Sequence, residues 1–83
     1  MRWKEIKPVL KRLSECDPEF GKFGLYVFFE RGWRLFDSYR LLIRMDATNE
    51  NNFECLLSAI HELGKKWKIV YKNDEIFLQV YSH

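Results

Sequence analysis

Glu54, Ser58 and His61 recur at four- and three-residue intervals, which places a carboxylate, a hydroxyl and an imidazole on one side of a helix. Those are the groups that nucleophilic catalysis uses. The same side is also the polar face of an amphipathic segment, where solvated polar residues need no chemical reason, and a wet helix face is the stronger reading. Cys16, Cys55, His61 and His83 are the soft metal-ligand types, yet none stands at C-x-x-C or H-x-x-x-H spacing. Cys55 and His61 are six residues apart, about 240° round a helix, so they cannot share an ion there. No metal and no cofactor are expected.

The glycines are Gly21, Gly24, Gly32 and Gly64, which form neither a Walker loop nor a dinucleotide fingerprint. Gly21-Lys22-Phe23-Gly24 has the G-x-x-G spacing of an RNA-clamping loop. Such loops join two helices, whereas this one precedes a strand pattern and reads as a plain connection. Asp37-Ser38-Tyr39 likewise reads as a turn rather than an acid/base site. The balance leans away from an enzyme, while catalytic groups assembled from distant residues would leave no motif.

The elements that position these residues follow from periodicity. Trp3, Ile6, Val9, Leu10 and Leu13 form an apolar stripe opposite Lys4, Lys7 and Lys11, which predicts a helix over 5–16. Pro8 must either mark its regular start or kink an earlier one. Asp17-Pro18 ends it. The apolar run 25–29 predicts a strand, Glu30-Arg31-Gly32 a three-residue hairpin loop, 33–37 its partner strand and 39–45 a third strand. Phe53, Leu56, Leu57, Ile60 and Leu63 share one face of a second helix, capped by Thr48 or Asn49 and ended by Gly64. A final hairpin spans 67–72 and 75–81 around Asn73-Asp74. The order α-β-β-β-α-β-β gives an α+β fold: an antiparallel or mixed sheet of five strands with two helices on one face. Residues 10–39 and 53–82 resemble two loose passes of helix then hairpin.

All of this fits a single domain over residues 1–83 with 47% hydrophobic and 17% aromatic residues. The run 25–29 is the longest apolar stretch, far short of the roughly 18 residues of a membrane span. The charged opening and only two cysteines, read as small buried thiols rather than a disulfide, make the cytoplasm the expected location. Net charge is +2, but residues 1–12 carry a local +4 and residues 45–64 a local −4.

If the helices cover one side of the sheet, alternation with Phe29 opposite Trp33 and Val27 opposite Leu35 assigns the core. Leu25, Tyr39, Leu41, Ile43, Ile69, Tyr71, Ile76, Leu78 and Val80 join it. The open face then carries Tyr26, Phe28, Phe36, Val70, Phe77 and Tyr81 between Arg34, Arg40, Arg44, Lys68 and Lys72. So apolar a face marks a contact site. The leading reading is a non-enzymatic protein-interaction module that self-associates through this face, for instance as a homodimer aided by the opposed charge segments. The alternative is a single-stranded nucleic-acid binder, with aromatics stacking on bases and cations on phosphates. In a third reading the 15–24 loop or one helix folds over the face, Phe20 and Phe23 pack into it, and the aromatics are simply core.

Overall fold

The computed structural model describes residues 1–32 and 39–82. Helix α1 is Trp3–Leu13 and buries Ile6, Val9, Leu10 and Leu13 as its apolar stripe predicts. It begins earlier than expected, and Pro8 lies inside it. The Glu5 carboxylate accepts the Arg2 N–H at 2.8 Å, which supports a first turn ahead of the proline. After a turn, Asp17 caps a short 3-10 turn, Pro18–Gly21, by accepting the Glu19 N–H at 2.9 Å. Helix α2 is Glu50–Glu62, with the Asn49 side chain accepting the Asn52 N–H at its start. At its end Gly64 takes a φ of 70°, and the N–H groups of Gly64 and Lys65 reach back to His61 and Ile60.

Among the described residues there are four strands, β1 Val27–Arg31, β2 Tyr39–Arg44, β3 Lys66–Lys72 and β4 Glu75–Tyr81, in the antiparallel order β1-β2-β4-β3. Over the described residues the order is α-β-β-α-β-β, which matches the expected order only in part. The expected strand over 33–37, with Arg34 and Phe36, lies outside the described residues. The hairpin expected at Glu30-Arg31-Gly32 does not form there, because Glu30 and Arg31 continue β1. The expected partners Trp33 and Leu35 lie outside the described residues, and Phe29 lies opposite Leu41 and Val27 opposite Ile43. The physical reason is the Leu41-Leu42-Ile43 run, which buries both of its faces when it takes the inner position between β1 and β4. The second hairpin matches expectation: Asn73 and Asp74 both have positive φ, and Lys72 pairs with Glu75 across a two-residue turn.

Both helices pack on one face of the sheet. Val27, Leu41, Ile43, Leu78 and Val80 form a single cluster with Ile6, Leu10, Leu13, Leu56, Ala59 and Ile60. Phe20 is fully buried in this cluster, so the 15–24 loop folds to the helix side and not over the open face. Its glycine has a local purpose, since a Cβ on Gly21 would stand 2.6 Å from the Ser14 Cβ. Close packing, not RNA, explains the first glycine of the G-x-x-G run. Met1 is also buried, exchanging backbone hydrogen bonds with Tyr39 at 2.6 and 2.9 Å.

Cys16 and Cys55 form a disulfide with a Cα separation of 5.7 Å, tying the exit of α1 to α2. This overturns the reading of two buried thiols. Spacing along the chain carries no information about a contact 39 residues apart. The expectation of a reducing cytoplasm rested in part on those thiols and loses that support. Neither described helix is long and apolar enough to cross a membrane. The opposed charge segments meet within the chain: Arg12 contacts Glu62 at 2.8 Å across the two helices. Lys65, just past α2, reaches Glu5 at 2.6 Å.

Candidate interaction surface

Strand register sorts the sheet residues by face. Phe28, Leu42, Gln79 and Lys68 form one row across the open side, and Arg44, Phe77 and Val70 another. Arg40 and Tyr81 extend the same side toward the β1–β2 connection. Tyr26 precedes β1 and stands beside Arg44, whose N–H its carbonyl accepts at 2.9 Å, while its half-buried side chain also packs against the main core.

This open side is closed more tightly than the sequence suggests. Phe77 is 7% exposed and Gln79 3%, while Phe28, Arg40, Arg44 and Tyr81 are half-buried and Lys68 is exposed. Phe28 and Phe77 meet edge to face at 6.3 Å, and Arg40 and Lys68 both lie over the Tyr81 ring, at 5.9 and 5.5 Å. Glu30 on one edge strand reaches Lys72 on the other at 2.6 Å and accepts the Gln79 amide at 3.3 Å. A flat four-stranded sheet would hold its edge strands about 14 Å apart, so the ion pair requires a sheet curled around this face.

The basic groups of the face are also engaged. Arg44 contacts Asp46 at 2.8 Å and Glu75 at 3.8 Å, and the Asp46 hydrogen bond pushes its pKa up, further into the charged range. With Lys72 held by Glu30, the cations available for phosphates are fewer than the sequence count implies. Glu54, Ser58 and His61 are all solvent-exposed on α2, as a wet face should be. Among the described residues, no cluster of His, Cys, Asp and Glu is arranged to hold a metal ion.

The exposed apolar groups lie at the sheet's two edges instead. At the β1 edge, Trp3 packs on Phe23, Phe29 and Tyr39 with ring centroids 5.0–6.2 Å apart. Trp3 and Phe29 remain about half exposed, and Leu25 lies exposed before the strand. At the other edge Trp67, Ile69 and Tyr71 stand opposite Val80, Leu78 and Ile76, and hence on the helix side of the sheet. They are 44%, 43% and 75% exposed, with Ile76 exposed beside them. Sequence alternation placed Ile69, Tyr71, Ile76 and Leu25 in the core. The alternation is right about the side of the sheet for β3 and β4, but the two helices do not extend over the β3 edge. Length of cover is a tertiary quantity that no periodicity reports.

Comparison with protein-family models, with curated proteins and with solved structures returns no significant match. The physical reading of the surface therefore stands on its own residues.

Proposed function

We propose that the chain is a non-enzymatic protein-binding module whose contact surface is the β3 edge rather than the curled open face. The observation that carries this is the row of Trp67, Ile69 and Tyr71, all exposed on the helix side of the sheet, where among the large apolar residues of the other described strands only Phe29 and Ile76 are exposed. Burying one such side chain contributes roughly 1.5–3 kcal/mol, and a row of three with Ile76 beside it is more than scattered surface hydrophobes require. The aromatic face around Phe28 and Phe77 is reassigned to structure, since its rings already bury one another. The nucleic-acid alternative retains Lys68 and the Tyr81 ring but has lost Arg44 and Lys72 to carboxylates.

The test is positional crosslinking. A photo-reactive residue at position 71 should capture a protein partner in the native cell, and the capture should vanish with Ile69→Lys. The same residue at position 61, on the exposed face of α2, should capture none. Equal capture at the two positions, or none at position 71, overturns the assignment.

A further inference from the structure

Strand β3 ends the sheet, and among the described residues no strand lies beyond it. Its hairpin with β4 closes on the Lys72–Glu75 pair across two residues, and a turn of this kind makes its closing pair the hydrogen-bonded one. Counting back in steps of two, the backbone groups of Lys66, Lys68, Val70 and Lys72 point toward β4. Those of Trp67, Ile69 and Tyr71 point outward. The residues with the bare apolar side chains thus also present the unpaired edge.

The two edges of the sheet differ. Beside β1, the connection over residues 14–26 returns to the strand, bridging Phe23 to Val27 and donating the Gly24 N–H to the Val27 carbonyl at 3.0 Å. The corresponding connection ahead of β3 is only residues 63–65, too short to return along its strand. Among the described residues the β3 edge has no such returning segment, whereas at β1 one meets the Val27 end of the strand.

Charge selects the occupant. Lys66 and Lys68 are exposed on the face opposite Trp67 and Ile69. A second copy pairing antiparallel about Ile69 would set Lys66 against Lys72 twice, with Lys68 beside each pair, and Glu30 offsets only Lys72 of these three charges. Like charges directly opposed destabilise a ladder, and edge lysines are a common guard against self-pairing. An acidic strand meets the same lysines favourably.

We propose that the β3 edge accepts an extended acidic segment of a partner protein as a further strand. Its apolar side chains would lie against Trp67, Ile69 and Tyr71, and its intervening carboxylates against Lys66 and Lys68. This rests on the reading of β3 as the contact surface and adds the partner's backbone geometry and charge.

The experiment titrates the isotopically labelled full chain with the end-blocked peptide Glu-Val-Glu-Ile-Glu-Val-Glu and with its counterpart carrying Lys for Glu. The acidic peptide should produce saturable amide shifts centred on Trp67, Ile69 and Tyr71, weakening as salt is added. The lysine peptide should bind at least tenfold more weakly. The double variant Lys66→Glu/Lys68→Glu, its fold checked by its own amide spectrum, should reverse that preference. Equal binding of the two peptides, shifts centred on Phe77, or dimerisation of the chain through β3 would overturn the proposal. Crosslinking from position 71 without binding of either peptide would also overturn it and leave the contact surface standing.

Discussion

Breaking the Cys16–Cys55 bridge tests the tertiary arrangement most directly, because the bond spans 39 residues and joins the exit of α1 to the middle of α2. In the chain-entropy account, closing a loop of that length removes about 13 cal/mol/K from the unfolded ensemble, or about 4 kcal/mol at 25 °C. A domain of this size has roughly 4–12 kcal/mol of total stability, so the bridge is a large fraction of it. No exposed ion pair can replace it: Arg12–Glu62 joins the same helices, but surface pairs contribute about 1 kcal/mol at most. Reduction, or the double variant Cys16→Ala/Cys55→Ala, should lower the melting temperature by roughly 15–30 °C. The assay is thermal denaturation by circular dichroism with and without reductant, beside a thiol count on the denatured, unreduced chain. Two reactive thiols in that count would refute the pairing. A melting temperature that moves by only a few degrees on full reduction would refute the energetic argument.

Three further outcomes probe other parts of the molecule. Phe77→Ala should cost about 3 kcal/mol in urea denaturation, as a buried ring does, whereas an open binding face would predict a change within about 0.5 kcal/mol. Gly21→Ala should cost about 1–3 kcal/mol through the 2.6 Å approach to the Ser14 Cβ, and Ser14→Gly in the same chain should recover part of that loss. The hydrogen bond from Lys65, with a second from the Arg2 N–H, lowers the Glu5 pKa from 4.5 to about 2. Because the folded value is the lower one, this pair stabilises above pH 4.5, and its contribution disappears as pH falls through 2. Glu5→Gln should therefore lower the melting temperature near neutral pH and flatten its fall over that acid window. The effect should stay at about 1 kcal/mol, because the Glu5 side chain is 36% exposed and solvent screens the pair.

The local elements were written in the sequence where a short-range physical rule governs them. The α2 stripe of Phe53, Leu56, Leu57, Ile60 and Leu63 packs as its spacing requires. Asn49 and Gly64 cap the ends they were assigned, and Asn73-Asp74 forms the turn. The end of β1 is not legible in the sequence, because Glu30-Arg31-Gly32 has the composition of a loop. Glu30 instead finds Lys72 and Gln79 across the sheet, and those partners are more than 40 residues away. The G-x-x-G run was readable as a connection, but the need for Gly21 appeared only once Ser14 stood against it.

Sequence by itself determined the α+β class, the two amphipathic helices, the caps, the last hairpin and the side of the sheet to which most strand residues point. Each of these depends on neighbours within a few positions, where periodicity and backbone preference act. Tertiary structure alone decided the Cys16–Cys55 bridge, the pairing of β1 with β2, the curl that buries Phe77, and the short reach of the helices that leaves Trp67, Ile69 and Tyr71 bare. Those depend on which distant segments meet and how far one layer extends over another, and alternation along a strand encodes neither.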